Sequence, residues 1–407
     1  MTVRIVRLAA GGDGVGRLPD GRTVFVPRTA PGDLVALRAV RRARRFARAR
    51  VAAVLEPGPG RVEPRCPHYT TDECGGCQLQ HLAGDVQREA RRGFVGDALR
   101  RLARLEVADP PLEPAEREFG YRTKLTLHAA AGARRIGLRP YGRPDAVFEL
   151  VWCHITDAGL MELWQAVREL RHWLPRDLER LVLRRGREGE AHVIAAVRGA
   201  EAWTRAAALA RELEARGQRA ALWWKPEGGV ARALGRATES PPHPGVFEQV
   251  NPPMGARARA YAVAALGPVA GRRIWDLYAG IGETTALLAR EGAVVESVEL
   301  DRRAVAIAEG HGPPARRHAG AAEDVVPALG PAELVVTNPP RGGMDSTVVE
   351  AIAAARPRRI AYVSCDPATL ARDVGRLGPA YRMADLRAFD LFPQTAHVET
   401  VAVLERT

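Results

Sequence analysis

The sequence has few cysteines, almost no lysine and no long apolar run. No stretch approaches the ~18 uninterrupted apolar residues of a membrane-spanning helix, and residues 1–10 lack the apolar core of a signal peptide. We therefore expect a cytoplasmic protein without membrane contact. Five cysteines among 407 residues are an odd and sparse set, which argues against a disulfide framework and favours metal binding or catalysis.

Positive charge is in excess, and arginine carries nearly all of it. Only two of the 60 Lys and Arg residues are lysines, Lys124 and Lys225, and the formal net charge is +12. Residues 1–56 contain 12 arginines and four acidic residues, so most of the excess lies in the first seventh of the chain. This distribution predicts a polyanionic partner, and RNA is the one we expect.

Length and hydrophobic patterning predict a multi-domain α/β protein with three segments. Residues 1–58 end at a Pro-Gly-Pro-Gly run and predict an OB-like β-barrel. Residues 59–245 mix strand-like and helical patterns, which predicts an α+β central domain. Residues 246–407 alternate apolar strands and helices, which predicts a Rossmann-like doubly wound sheet that binds ligands at the carboxyl ends of its strands.

Individual elements can be assigned from the same patterns. The first segment is expected to have five strands and a basic stretch at residues 41–50; the strands are Val3–Leu8, Gly14–Leu18, Thr23–Val26, Asp33–Val40 and Val51–Leu55. In the central segment a helix is expected over Ala83–Leu105. In the last segment the expected strands include Arg273–Leu277, Ala293–Glu299, Leu334–Thr337 and Ile360–Val363.

A glycine-rich turn follows the first strand of the last segment. The run Asp276–Gly282 ends a predicted strand and opens a helix, so its backbone can approach a ligand closely. The next strand ends at Glu299, where dinucleotide-binding folds place an acid on ribose hydroxyls. An ordinary tight turn is the alternative reading of the glycines alone.

Four further motifs carry a resemblance that covers the whole chain: Phe247–Asn251, Thr337–Gly343, Ser364–Pro367 and Asp390–Glu399. With the D-x-Y-x-G-x-G turn, they resemble the RNA 5-methyluridine (uracil-C5) methyltransferases. The closest branch carries an N-terminal TRAM domain and an iron–sulfur cluster and acts on large-subunit (23S) ribosomal RNA. The resemblance implies S-adenosylmethionine as methyl donor.

The resemblance implies a nucleophile and a base. Carbon 5 of a pyrimidine is a poor nucleophile, and a thiolate that adds to carbon 6 activates it, so Cys365 is expected to form a covalent adduct. This role requires a depressed thiol pKa. Glu399 is expected to remove the proton from carbon 5. The alternatives are a buried structural thiol for Cys365 and a surface acid at a strand edge for Glu399.

The remaining site residues come from the resemblance, except Phe25, which is expected because an aromatic ring in a basic segment can stack on bases. The expected cofactor-binding residues are Gln249, Tyr278, Gly280, Glu283, Glu299, Asp324 and Asn338, with Gly320 as an alternative to Asp324 near the adenine. The expected substrate-binding residues are Asn338, Arg341, Lys124 and Phe25. The family generally has Asp where this chain has Asn338, and an amide can accept or donate, so the choice between uracil and cytosine stays open.

Four cysteines form a second constellation: Cys66, Cys74, Cys77 and Cys153. The Cys-Gly-Gly-Cys run resembles the family's iron–sulfur loop, and four thiolates can hold a [4Fe-4S] cluster. Tetrahedral zinc and a local redox pair are the alternatives. The gap after Cys66 is two residues longer than the family's usual gap.

Other functions fit the motifs less well. A radical S-adenosylmethionine enzyme needs C-x-x-x-C-x-x-C, which is missing, and an exocyclic-amine methyltransferase has an aromatic residue where Arg341 stands. Cytosine-C5 or tRNA uracil-C5 methylation and a non-catalytic RNA-binding protein are further alternatives. The target nucleotide must leave its stack, so single-stranded or loop RNA is expected, with arginines at residues 41–50 and Phe46 also in contact. We expect a monomer.

Overall fold

The computed structural model describes residues 1–130, 135–186, 189–235 and 246–407. These residues form two compact units: Met1–Gly84 with Arg117–Gly245 and Pro393–Ala396, and Asp85–Glu116 with Val246–Phe392 and His397–Thr407. The units do not coincide with the three predicted segments, whose boundaries remain predictions. The predicted boundary after residue 245 lies at the end of residues 236–245, which are not among the described residues.

The first unit begins with a six-stranded sheet. Its strands are β1 (Thr2–Arg4), β2 (Arg7–Leu8), β3 (Gly14–Arg17), β4 (Thr23–Val26), β5 (Leu34–Arg42) and β6 (Phe46–Glu56). The strand order is β1-β5-β6-β4-β3-β2. Its two edge strands, β1 and β2, are only two residues apart in the chain, so the sheet must curl until its edges meet. This is the barrel that the sequence predicts.

Two details of the barrel differ from the expectation. Val3–Leu8 is two strands, because the Ile5 amide donates to Asp33 whereas the Val6 amide donates to Val15, so the chain changes partner. The basic stretch at residues 41–50 does not separate the last two strands as expected. It lies largely on β5 and β6, which extend into it, and Arg41 pairs with Arg48.

Three short elements follow the barrel: α1 (Pro67–Thr70), α2 (Gly84–Ala98) and β7 (Leu112–Glu113). The predicted helix over Ala83–Leu105 is confirmed as α2 and a π-helical turn at Leu99–Ala103. Arg91 of α2 is 1% exposed and pairs with Asp390 at 3.0 Å. A buried charge requires such a partner, so this pair fixes α2 within the second unit.

A seven-stranded sheet completes the first unit. Its order is β10-β9-β8-β11-β12-β13-β14, and only β12 and β13 pair in parallel. Two helices, α3 and α4, pack against its apolar face. The elements are β8 (Lys124–Ala129), β9 (Ile136–Leu138), β10 (Phe148–Glu149), α3 (Ala158–Glu169), β11 (Leu178–Arg185), β12 (Ala191–Val197), α4 (Ala206–Ala215), β13 (Ala221–Lys225) and β14 (Arg232–Leu234).

The second unit is built on an eight-stranded sheet whose helices lie between its strands in the chain. The elements are α5 (Pro252–Ala264), β15 (Arg273–Leu277), α6 (Glu283–Arg290), β16 (Val294–Glu299), α7 (Arg302–His311), β17 (Arg316–Ala319), α8 (Ala322–Val325), β18 (Leu334–Thr337), α9 (Ser346–Ala355), β19 (Arg359–Ser364), α10 (Pro367–Leu377), β20 (Tyr381–Phe389) and β21 (Glu399–Arg406). No described helix has the length and hydropathy that a membrane crossing requires.

The sheet order is β17-β16-β15-β18-β19-β21-β20-β7. The first five strands in this order, from β17 to β19, are mutually parallel. Strand β21 is antiparallel to both β19 and β20, and β7 is parallel to β20. The chain runs outward from β15 on one side and returns to β18 on the other. Doubly wound sheets bind ligands at this reversal, outside the carboxyl ends of the strands.

Candidate active site

The glycine-rich turn after β15 has an unusual backbone. Tyr278, Gly280 and Gly282 have φ values of 60°, 56° and 78°, and left-handed geometry costs a side chain such as tyrosine energy. Beneath the turn, the buried Asp276 accepts a hydrogen bond from the Thr285 hydroxyl at 2.6 Å. Burial raises the pKa of Asp276 to about 7. The strained turn is therefore tied to the helix that follows it.

The backbone of this turn is accessible at Gly280. A Cβ added at Gly280 would meet no atom within 4 Å, so the backbone is open to a ligand. Glu299 ends β16, and its carboxylate accepts the Gly280 amide at 2.8 Å and the Asp301 amide at 2.8 Å. Each carboxylate oxygen has a second lone pair for a ribose hydroxyl. The Gly320 amide donates to the Glu299 carbonyl at 2.9 Å.

The other predicted cofactor residues lie on neighbouring elements. Gln249 is half-buried just before α5, and Asn338 is half-buried directly after β18. Glu283 begins α6 and pairs with Arg259 at 2.8 Å. Asp324 is exposed on α8. These placements leave each assignment a prediction.

An acidic residue near Tyr278 was not predicted from the sequence. The pKa of the Tyr278 hydroxyl is raised to about 12, chiefly by burial and next by the negative charge of Glu323. Asp324, the predicted residue, is the neighbour of Glu323 on α8 and is exposed. Glu323 could have been found only from the rotation of α8, which a helix of four residues does not reveal in its sequence.

Cys365 and Glu399 meet because β19 and β21 are antiparallel. Cys365 directly follows β19 and Glu399 begins β21, and the register pairs Ser364 with Thr400. Cys365 is half-buried, whereas Glu399 is 2% exposed. The thiol therefore lies at the ligand-binding edge of the sheet, with the carboxyl beside it and shielded from solvent.

Arg341 joins Glu399 beside this thiol and also contacts a histidine. The Arg341 guanidinium lies within hydrogen-bonding reach of Cys365, and its Nη2 is 3.3 Å from Nε2 of His397. Arg341 was predicted to bind substrate, and its contact with the thiol was not foreseen. His397 lies inside the motif Asp390–Glu399, but the sequence predicted no role for it.

The pKa of the Cys365 thiol is raised, not depressed as its role as nucleophile was expected to require. Burial is the largest cause, the Glu399 charge adds to it, and Arg341 opposes it. Burial likewise raises the pKa of Glu399 to about 7, which suits a group that takes up a proton near neutral pH. Ionisation of the thiol therefore depends on Arg341 and on what enters the site.

Comparison with known proteins shows the family of the chain. The family of tRNA (Uracil-5-)-methyltransferases matches residues 331–407, and the TRAM domain matches residues 1–52. An uncharacterized RNA methyltransferase of Gloeobacter violaceus is 32% identical over 446 residues, covering 100% of this chain and 96% of that protein. The 23S rRNA (uracil(1939)-C(5))-methyltransferase RlmD of Thiobacillus denitrificans is 31% identical over 442 residues, covering 99% of each chain. The chain belongs to the RNA uracil-C5 methyltransferase family.

A solved structure shows that the fold extends over both units. The tRNA (uracil-54, C5)-methyltransferase of Pyrococcus abyssi, in complex with S-adenosyl-L-homocysteine, has a TM-score of 0.72 and 23% identity and covers 99% of this chain. The family fold and its methyl donor, S-adenosylmethionine, agree with the open turn at Gly280. The family match at residues 331–407 includes Asn338, Arg341, Cys365 and Glu399.

The first unit of this methyltransferase contains the other four cysteines around one cavity. Cys66, Cys74, Cys77 and Cys153 line a space of about 150 Å³. Burial and the other thiols raise the pKa of Cys66 and Cys77, and that of Cys74 to about 11. Among the described residues no group of three or more His, Cys, Asp or Glu side chains is arranged to hold a metal ion. The iron–sulfur cluster therefore stays a prediction.

The TRAM barrel of the methyltransferase carries exposed arginines and two aromatic rings. Phe25 on β4 and Phe46 on β6 form an edge-to-face pair with ring centroids 5.9 Å apart. Arg38 pairs across the strands with Arg50. Lys124, the remaining predicted substrate residue, begins β8 in the same unit. The barrel thus presents cations and a stacking surface together.

Proposed function

We propose that the protein methylates carbon 5 of a uridine in a single-stranded or loop segment of ribosomal RNA. The observation that carries this proposal is the juxtaposition of Cys365, Arg341 and Glu399 at the carboxyl edge of a methyltransferase sheet. The full-length similarity to RlmD of Thiobacillus denitrificans supports the ribosomal substrate.

The side chains account for each transfer of electrons and protons. The Cys365 thiolate forms a bond to carbon 6, and the electron pair of the ring double bond moves to carbon 5 and the carbonyl at carbon 4. When bound, S-adenosylmethionine would supply an electrophilic methyl group. Carbon 5 would form a C–C bond to this methyl group with the displaced electron pair, as the S–CH3 bond breaks and S-adenosylhomocysteine leaves. Glu399 then takes the proton from carbon 5, the ring double bond reforms, and the thiolate leaves as the C–S bond breaks.

The charged neighbours divide this work. Arg341 stabilises the thiolate before attack and can donate to the oxygen on which negative charge develops. Glu399 must be ionised to accept the proton, and its raised pKa makes it a stronger base than an exposed carboxylate. Glu299 and the amides of the turn at Gly280 hold the donor. Asn338 can hydrogen-bond the edge of the base.

Nucleoside analysis tests the reaction. Unmodified ribosomal RNA incubated with the protein and labelled S-adenosylmethionine is digested and analysed by mass spectrometry, and 5-methyluridine is the expected product. A parallel reaction with unmodified tRNA tests the RNA class. 5-Methylcytidine would show that Asn338 selects cytosine, and an N-methylated base would contradict the covalent mechanism.

The covalent step has its own test. Glu399→Gln leaves the carbon 5 proton in place, so a methylated RNA adduct at Cys365 should accumulate and migrate slowly on a denaturing gel. Cys365→Ala in the same background is the matched control and should give no adduct. Failure to trap an adduct would contradict the assignment of Glu399 as base.

We further propose that Cys66, Cys74, Cys77 and Cys153 hold a [4Fe-4S] cluster. A single tetrahedral zinc would draw four thiolates to about 2.3 Å from one point, whereas these thiols surround a cavity. The Gly76 amide donates to the Cys74 sulfur at 3.4 Å, and such bonds accompany cluster ligands. Nothing in the transfer chemistry above needs an electron, so the cluster would be structural.

Metal analysis separates cluster from zinc. Anaerobically purified protein should contain about four iron and four sulfide per chain and absorb visible light. One zinc per chain without sulfide would contradict the cluster. Cys365→Ala is the matched control, because it removes the cysteine outside the cavity and should leave the metal content unchanged.

The exposed arginines at residues 41–50 are proposed to bind RNA phosphates. Each lost phosphate contact should reduce the salt dependence of binding by about 0.7 in the slope of log K against log salt for single-stranded RNA. Arg41→Ala and Arg44→Ala test this. Arg219→Ala is the control. Arg219 follows helix α4 of the first unit, its side chain is 90% exposed, and its removal should leave the slope unchanged.

A further inference from the structure

A buried carboxylate on α10 links two segments of the active site. Asp373 is 0% exposed. Its Oδ2 accepts the Met344 amide at 2.8 Å and the Tyr362 hydroxyl at 2.8 Å. Met344 lies three residues after Arg341, and Tyr362 lies three residues before Cys365. One carboxylate oxygen thus joins the loop that carries the guanidinium to the strand that carries the thiol.

Two arginines of the same helix hold the loop from the other side. Arg372 donates through Nε to Oδ1 of Asp373 at 2.9 Å and through Nη2 to the Gly342 carbonyl at 2.8 Å. Arg376 lies 3.4 Å from the same Oδ1 and 3.5 Å from the Met344 carbonyl. Two guanidinium groups therefore compensate the buried charge and bind the loop backbone.

The loop approaches α10 so closely that a side chain would not fit. Gly343 has a φ of +77°, and a Cβ there would overlap both Arg372 and Asp373. Only glycine combines this backbone geometry with this approach. Since α10 starts two residues after Cys365, the position of the loop is set relative to the thiol itself.

We propose that Asp373 is a positioning residue for methyl transfer, which holds the loop so that Arg341 faces Cys365. This inference rests on the role proposed above for Cys365. In this role Asp373 touches neither the RNA nor the methyl donor and acts only through Arg341. A carboxylate is needed because it accepts from an amide, a hydroxyl and two guanidinium groups at once.

Asp373→Asn tests the proposal, because the amide keeps the size of the side chain but cannot accept all of these bonds. We expect kcat to fall about 10- to 100-fold, the cost of misplacing a group by about 1 Å, with an unchanged KM for S-adenosylmethionine. The alkylation of Cys365 by iodoacetamide should shift to higher pH, because Arg341 no longer favours the thiolate. A merely structural role would lower the melting temperature without this shift.

Two further variants complete the test. Tyr362→Phe removes one of the bonds to Asp373 and should shift alkylation in the same direction by a smaller amount, so the proposal stays testable if Asp373→Asn does not fold. Glu405→Gln removes a carboxylate that also bridges two arginines, Arg359 and Arg382, at the far end of β21. It should leave kcat and alkylation unchanged.

The outcomes separate this inference from the proposed function. Wild-type kcat and wild-type alkylation in folded Asp373→Asn would overturn the positioning role while leaving Cys365 as nucleophile. A fall in kcat without an alkylation shift would also overturn it. Methylation by Cys365→Ala would instead overturn the proposed function.

Discussion

The two cysteine environments of this protein differ in what surrounds the sulfur. Cys365 is half-buried beside a guanidinium and a carboxyl, so its ionisation responds to both charges. The four cysteines of the first unit line a cavity, and the groups that act on the thiols include the other cysteines. The first environment suits a bond that forms and breaks, and the second suits permanent ligands.

Removing Cys365 should have the largest effect on catalysis. Cys365→Ala deletes the proposed nucleophile, and turnover should fall by at least about 10⁴-fold, as for other nucleophiles. Calorimetric titration with S-adenosylmethionine should give an unchanged affinity, because the proposed donor contacts are Glu299 and the turn at Gly280. If Cys365→Ala kept more than a hundredth of wild-type activity, Cys365 would not be the nucleophile, the role that distinguishes it from the cavity cysteines.

A cavity cysteine should behave in the opposite way. Cys77→Ser should lose the iron of the proposed cluster and lower the melting temperature by about 4–8 °C if about 2 kcal/mol of stability is lost. Its remaining folded fraction should still alkylate at Cys365. Cys365→Ala should keep the iron content and the melting temperature of the wild type. If Cys365→Ala lost iron and stability as Cys77→Ser does, the two cysteine environments would not differ in function.

Much of this arrangement could be predicted from the sequence. The parallel strands β15, β16, β18 and β19 are short and mainly apolar, and β18 is buried along its whole length, so each is visible without its neighbours. The turn at Gly280 and the candidate nucleophile Cys365 directly follow such strands. Their common edge then follows from the topology of doubly wound sheets.

The antiparallel part of the sheet and its parallel edge strand β17 were not predicted. Strand β20 mixes exposed and buried residues with a register shift between Met383 and Asp385, and β17, which pairs with β16 in parallel, is polar. Neither gives a strong local signal. The position of Glu399 beside Cys365 depends on the register between β19 and β21, and the role of Asp373 depends on three elements. Such non-local contacts cannot be inferred from spacing.

The pH dependence of the reaction should distinguish the Glu399 carboxyl from a solvent-exposed carboxyl group. Because the pKa of Glu399 is raised to about 7, its ionised fraction, and with it the rate of adduct breakdown, should fall about tenfold per pH unit below 7. Single-turnover measurements between pH 5.5 and 8.5 check this. A rate that is constant from pH 6 to 8 would show that proton removal does not depend on this carboxyl.

The smallest expected effect compares the two charges beside Cys365. Glu399 raises the pKa of the thiol and Arg341 lowers it, so at pH 8 Glu399→Gln should speed alkylation by iodoacetamide and Arg341→Gln should slow it. Half a pKa unit in each direction corresponds to about threefold. Peptide mass spectrometry measures the modified Cys365, with Cys77 in the same digest as the reference that stays unmodified. Shifts in the same direction would mean that burial alone sets the reactivity of Cys365, and the charged neighbours would then lose their role in distinguishing it from the cavity cysteines.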